Sequence, residues 1–186
     1  MSQGILTAPV GPDDHAQGPE DAPITLVEYG DYECPHCARA HPVVRQIQRD
    51  LGDTMRFVFR NFPLREAHPH AEHAAEAAES VAVHAGEEAF WDMHDLMFEN
   101  QEALHDAALL AYAGSLGVAE DVLADDLASG ALANRVNRDF RSGIHGGVNG
   151  TPTFFVNGRR YDGDWSDPGI FAANLRLSRD GSLKVT

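Results

Sequence analysis

The sequence predicts an α/β fold in which a strand–helix–strand half and a strand–strand–helix half share one sheet, with an all-helical insertion between them. Three observations predict it. Residues 24–62 alternate from a β-branched run to a helical apolar spacing and back to a β-rich run. Residues 66–143 are Ala-rich, with apolar side chains recurring every three or four positions. Strand signals then return at 153–161, ahead of a last helical stretch.

Each element has its own cause. Ile24-Thr25-Leu26-Val27-Glu28-Tyr29 is rich in β-branched and apolar types and reads as a strand. Gly30-Asp31-Tyr32-Glu33 breaks it. Pro35 follows Cys34, where a proline fits the first turn of a helix. Val43, Val44, Ile47 and Leu51 continue at helical spacing, and Gly52 is the expected stop. Met55 to Phe59 is a second strand running towards Asn61-Phe62-Pro63. A connection of this size in one sheet is most often a right-handed parallel crossover.

In the insertion, three apolar stripes stand out: Phe90, Met93 and Met97; Val122, Leu123 and Leu127; Leu132, Val136, Phe140 and Ile144. With Gly86, Gly114, Gly117 and Gly130 as punctuation, they predict about four helices packed as a small bundle. Thr153-Phe154-Phe155-Val156 and Arg159-Arg160-Tyr161 flank Asn157-Gly158, a strong hairpin turn. Residues 168–177 carry Ile170, Phe171, Leu175 and Leu177 and read as the last helix. The expected organisation is a loose tail over 1–21 with room for one edge strand, a discontinuous α/β domain over 22–63 and 147–178, the helical insertion over 64–146, and a C-terminal tail over 179–186.

Composition bounds the function. The 186 residues are 43% hydrophobic, enough for a packed core. Lys and Arg number 14 against 29 Asp and Glu, a formal net charge of −15. So acidic a surface repels nucleic-acid phosphates and anionic lipid, which argues against those partners. No apolar run reaches the roughly 18 residues of a membrane span. The first nine residues lack a basic stretch followed by an apolar one, so no secretory signal is read and a cytoplasmic location is expected; a periplasmic one would need a signal already removed.

The two cysteines, Cys34 and Cys37, are spaced C-x-x-C. One pair is no disulfide framework for a chain this long, which leaves a redox dithiol, half of a metal site or an incidental pair. Cys34 at the tip of a helix would face unpaired N–H groups and the positive end of the helix dipole, both of which favour the thiolate that attacks in disulfide exchange. Cys37, one turn on, is the natural resolving thiol.

Cys34-Pro35-His36-Cys37 after a strand, with Gly150-Thr151-Pro152 before a hairpin more than a hundred residues later, resembles the DsbA-like branch of the thioredoxin superfamily. Residues 22–41 are similar to its strand and active-site segment, residues 150–158 to its second signature, and the resemblance spans about residues 20–178. It implies a thioredoxin-like fold with a helical insertion and a protein disulfide oxidoreductase needing no cofactor beyond the Cys34–Cys37 dithiol. It also implies protein or peptide thiol substrates, a recycling redox partner, no nucleic acid and no membrane, in a monomer or weak homodimer. Catalysis then rests on Cys34, Cys37, Pro35 and His36. Glu28 becomes a proton relay to Cys37, against the plainer reading of an edge carboxylate facing solvent. Thr151 and Pro152, joined by a cis peptide, orient the substrate.

In that branch Pro-His marks an oxidising pair, with a thiol pKa of about 3.5 against about 8.5 for a free cysteine. The difference is roughly 7 kcal/mol. A helix dipole supplies at most about 2 kcal/mol, so local hydrogen bonds and His36 must supply the rest. Asp31, Glu33 and Glu28 push the other way, because nearby negative charge raises a thiol pKa. His41 stands where some members carry an acid.

Three rival readings use the same residues. A zinc site would draw on Cys34, Cys37 and His41, or on His68, His70 and His73. Structural zinc wants four ligands at paired spacings, and no second Cys pair exists. The histidines, His84, His94 and His105 among them, are therefore expected on solvated faces, as are the acids Glu72, Glu76, Glu79, Asp121, Asp125 and Asp126. A glutathione-dependent enzyme of the kappa-transferase type shares the insertion but carries a lone Ser or Cys where this chain keeps a pair. A peptide-binding module around Pro152 needs no reactive cysteine. Phe90, Trp91, Met93, Met97 and Phe98 are expected as core.

Overall fold

The computed structural model of the protein describes residues 4–179. The elements run β1 (His15–Gln17), β2 (Ile24–Gly30), α1 (Pro35–Leu51), a 3₁₀ turn (Gly52–Thr54), β3 (Met55–Asn61), α2 (Ala71–Ala85), α3 (Glu87–Glu99), α4 (Asp106–Ser115), α5 (Glu120–Ser129), α6 (Ala133–His145), β4 (Thr153–Val156), β5 (Arg159–Tyr161) and α7 (Pro168–Arg179). The chain divides into two compact units. The first holds residues 4–30, Arg39–Arg60 and residues 142–179; the second holds Asp31–Ala38 and Asn61–Arg141.

The first unit is built on one five-stranded sheet in the order β1-β3-β2-β4-β5. The strand–helix–strand and strand–strand–helix halves thus share a sheet, with β2 at its centre. Strand β4 runs antiparallel to β2 with Leu26 opposite Val156 and Glu28 opposite Phe154. It turns into β5 through Asn157 and Gly158, at φ 49° and 80°. Both signs are positive, as a type I′ hairpin turn demands, which is why Asn-Gly stands there. Ile24, Leu26, Val27, Phe57, Val58, Phe59, Phe154, Phe155 and Phe171 are buried and form its core.

The N-terminal segment is less loose than its composition suggests. β1 pairs antiparallel with β3, His15 opposite Phe59, and residues 4–6 bond to the β5 edge through Leu6 N–H to the Gly158 carbonyl and Arg160 N–H to the Gly4 carbonyl. The buried Arg60 guanidinium fastens the segment. It donates to both Asp14 oxygens at 2.8 and 2.9 Å, to the Ala8 and Pro9 carbonyls at 2.9 and 3.2 Å, and to the Tyr29 hydroxyl at 2.9 Å. A tethering cation 46 residues beyond Asp14 leaves no local mark on the tail.

The second unit carries five helical elements where four were expected. Gly86, at φ 90°, separates α2 from α3 without an intervening loop. The stripes are borne out in part. Phe90, Trp91, Met93, Met97 and Phe98 are all buried, as are Leu123, Leu127 and Val136. Ile144 is exposed, and so are Ile170 and Leu177 of α7.

Two expectations about polar residues are corrected. Glu76, Glu79 and His94 are buried rather than solvated. Glu79 accepts from Asn61 Nδ2 at 2.7 Å and pairs with Arg135 at 3.3 Å; Arg135 also holds Asp139 at 2.6 Å, and Asp139 accepts the Asn61 N–H at 3.2 Å. His94 sits among Tyr32, Trp91 and Phe98, its Nδ1 3.2 Å from the Tyr32 hydroxyl. Helical acids and histidines look solvated in a sequence because their partners, Asn61, Arg135 and Tyr32, lie tens of residues away.

Candidate active site

The turn that breaks β2 is a built structure. Asp31 Oδ1 accepts the Glu33 N–H at 2.8 Å, closing an Asx turn. The Asp31 carbonyl accepts the Cys34 N–H at 3.1 Å, closing a tight turn around Tyr32 and Glu33. The Cys34 carbonyl then accepts the Ala38 N–H at 3.1 Å, the first i to i+4 bond of α1. Cys34 is therefore the capping residue of α1, Pro35 its first helical residue and Cys37 one turn along. Both cysteines are buried, Cys34 at 4% exposure and Cys37 at 0%, while Pro35 and His36 between them are exposed.

Asp31 ties this turn together. Its side chain is fully buried, yet well supplied with donors. Besides Glu33, Oδ2 accepts the Leu64 N–H at 2.8 Å and lies 2.7 Å from His68 Nδ1. Its own N–H points at the Cys37 sulfur, 3.5 Å away. Burial works against an imidazolium at His68, but the Asp31 hydrogen bond and charge, with the charges of Cys34 and Glu33, outweigh it and hold the His68 pKa above its ordinary value.

Three further contacts seat the turn. Glu33 Oε2 accepts the His70 N–H at 2.6 Å, just ahead of α2. Gln101 Nε2 donates to the Tyr32 and Cys34 carbonyls at 2.6 and 2.9 Å. The Tyr32 ring packs on Phe98 and His94 at 5.0 and 5.5 Å. The segment 64–70 and Gln101 were not singled out as site residues from the sequence. His68 entered there only as a solvated or metal-binding candidate; here its Nδ1 faces a carboxylate.

Of the residues expected at the site, Cys34, Pro35, His36 and Cys37 stand on one helical turn in the second unit. Glu28, Thr151 and Pro152 belong to the first unit. Glu28 lies on the central strand β2 at 3% exposure, so the solvent-facing edge carboxylate is excluded. The Thr151–Pro152 peptide is cis, directly before β4, with both residues half-buried and Thr153 Oγ1 donating to the Gly150 carbonyl at 2.7 Å. His41 is half-buried on α1.

A C-x-x-C pair at the first turn of the helix that follows a central strand, on a sheet of this order, is the arrangement of a thioredoxin-like protein. Residues 11–170 match the family profile described as Thioredoxin, and the chain belongs to that family. The fold is shared with BdbD from Bacillus subtilis, at a TM-score of 0.84 and 26% identity over 96% of this chain and 100% of that one. MdbA, a thiol-disulfide oxidoreductase from Corynebacterium diphtheriae, superposes at 0.69 with 18% identity over 93% and 92% of the two chains. In sequence the chain is 45% identical over 186 residues to the Na(+)/H(+) antiporter NhaA 3 of Salinispora tropica. That match covers 98% of this chain but only 28% of the antiporter. No helix among the described residues is long and apolar enough to cross a membrane.

Proposed function

We propose that the chain exchanges disulfides with protein or peptide cysteines through Cys34 and Cys37. The observation that carries this reading is the position of Cys34 as the capping residue of α1, with Cys37 one turn on and a backbone N–H against its sulfur. In the oxidised protein a substrate thiolate attacks the Cys34 sulfur and the Cys34–Cys37 bond breaks. Cys37 leaves as a thiolate and takes a proton. A second substrate thiolate attacks the substrate sulfur of the mixed disulfide and releases Cys34 as a thiolate. Two electrons pass from substrate to the pair, and one disulfide is lost as one is made. The reverse sequence reduces a substrate.

The helix tip and the exposed His36 favour the leaving Cys34 thiolate. Glu28, a buried carboxylate on β2, serves as the proton relay of the exchange, and the backbone beside Pro152 pairs with an extended substrate chain. The dithiol is itself the redox group, so no metal or organic cofactor is called for. The two cysteines favour this reading over a glutathione transferase with a single nucleophile, and His68, turned to Asp31, weakens a histidine zinc cluster. The antiporter similarity concerns a portion of a longer protein and adds no ion-transport role to the exchange chemistry.

The test is a pair of variants in an insulin-reduction assay. Cys34→Ser abolishes exchange and Cys37→Ser accumulates mixed disulfides; full activity in Cys34→Ser overturns the reading. The reduction potential decides direction, above about −180 mV for an oxidant and near about −270 mV for a reductant.

A further inference from the structure

The residue contacting both cysteines through its backbone is Asp31, and the titratable donor on its carboxylate is His68. Asp31 offers its carbonyl to the Cys34 N–H and its N–H to the Cys37 sulfur. The carboxylate of the same residue is buried in the turn that leads into Cys34. An anion there opposes a second anion on Cys34 unless a cation offsets it. The donors from Glu33 and Leu64 are neutral amides; His68 Nδ1, at 2.7 Å, is the donor able to carry a positive charge.

We infer that His68 is a positioning residue of the dithiol, its imidazolium held by Asp31 so that the pair is neutral beside Cys34 and the thiolate form of the reduced protein is favoured. This rests on the exchange reading above and names a control on it that C-P-H-C does not contain. Reduction of the Cys34–Cys37 bond takes up two electrons and leaves a thiolate at Cys34. Whatever stabilises that thiolate stabilises the reduced state and makes the oxidised protein a stronger oxidant. The charged and titratable groups facing His68 are Asp31, Glu33 and Cys34, all on the turn it packs against. Each is an acid, so each favours the imidazolium, and by reciprocity the imidazolium favours each anion. The half-buried position of His68, with its side chain 18% exposed, limits screening by solvent and salt.

Three variants of the full chain separate charge from packing. In His68→Asn the amide nitrogen replaces Nδ1 at the Asp31 oxygen without the charge; in His68→Gln the amide sits further out, a second neutral variant should the first fold poorly. In His68→Lys the cation is kept. The readouts are the pH midpoint of Cys34 alkylation by iodoacetamide and the redox equilibrium with glutathione. The neutral variants raise the midpoint by about half to one unit and move the equilibrium about three- to tenfold towards the disulfide, one unit being a factor of ten. His68→Lys stays within about twofold of the wild type, because it restores the cation beside the carboxylate. Neutral variants that match the wild type in both readouts overturn the inference, as does a His68→Lys displaced as far as His68→Asn, which would mark a packing role. A wild-type pair that fails to equilibrate with glutathione overturns the exchange reading and this inference with it.

Discussion

The N–H of Asp31 is directed at the sulfur of Cys37 across 3.5 Å and its carbonyl accepts the Cys34 N–H, so the last turn before α1 touches both cysteines. The Asp31 carboxylate in turn fixes that turn to the segment at Leu64 and His68. One residue therefore ties the cysteine pair to the 64–68 segment.

Replacing Asp31 by Ala removes an acceptor from three donors at once, two backbone N–H groups and an imidazole. Each buried donor left unsatisfied costs about 1–3 kcal/mol. Partial relaxation around Gln101 and Tyr32, which seat the same turn, reduces the sum, so Asp31→Ala is expected to lose about 3 kcal/mol. Urea unfolding checks the stability and iodoacetamide alkylation the reactivity of Cys34. A variant as stable as the wild type, with unchanged alkylation, would show that the turn holds without the carboxylate.

The raised pKa of His68 fixes the sign of a pH effect. An unfolded histidine titrates at about 6.5, and the folded His68 titrates higher because of Asp31. The folded state then binds a proton that the unfolded chain releases. Its stabilising contribution is complete below about pH 6.5 and fades as pH rises through the folded pKa. The stability gap between wild type and His68→Asn is expected to be widest in mildly acidic solution and to narrow above neutrality. Denaturant midpoints measured from about pH 5.5 to 8.5 give the comparison. A gap that grows with pH contradicts the assigned charge state.

Much of this architecture can be read from residue order. The β2–α1–β3 sequence, the Asn157-Gly158 hairpin and the C-P-H-C turn follow from local rules of period, capping and turn chemistry. The contacts that make the turn a site are less legible. Asp31 reads as a charge that raises a thiol pKa, yet it is met by His68, 37 residues on. Glu79 reads as solvated, yet it meets Asn61 and Arg135. Helical periodicity tells which face a residue lies on, not which distant residue comes to that face. The loose look of the N-terminal segment fails for the same reason, since Arg60 holds it from β3.

Gly30 ends β2 where no side chain fits. A Cβ there would collide with Cε2 of the Phe59 ring, 2.9 Å from its Cζ, and stand 3.3 Å from Glu28 Oε1. Phe59 is fully buried between neighbouring strands and has little room to turn. Gly30→Ala is expected to cost about 1–3 kcal/mol through overpacking. Adding Phe59→Leu to Gly30→Ala should restore part of that loss, because the branched chain can vacate the ring edge. A thermal melt of the single and double variants decides it; a neutral Gly30→Ala would mean that the ring moves freely.

The helical unit offers the sharpest electrostatic prediction. Arg135 lies between two buried carboxylates, 3.3 Å from Glu79 and 2.6 Å from Asp139, with its own side chain 17% exposed. Burial already pushes the Asp139 carboxyl above its ordinary pKa; Arg135 opposes that rise, while Glu79 adds to it. Arg135→Ala strips the cation from both acids. Breaking a buried ion pair by deleting one partner costs about 3–5 kcal/mol, since the remaining charges stay desolvated. The loss is expected near the lower end, about 3 kcal/mol, because Asn61 still donates to each acid. The sign of its pH dependence follows from the raised carboxyl. The folded state takes up a proton at Asp139 at a higher pH than the unfolded chain does, and deleting Arg135 widens that interval. Lowering the pH from neutrality into mild acid therefore favours the neutral form of the stranded acid and recovers stability in Arg135→Ala relative to wild type, whereas at neutrality the full deficit shows. Urea midpoints of both proteins at the two pH values test this. A deficit that is the same at both, or larger in acid, would place the energy of this cluster in packing rather than in charge.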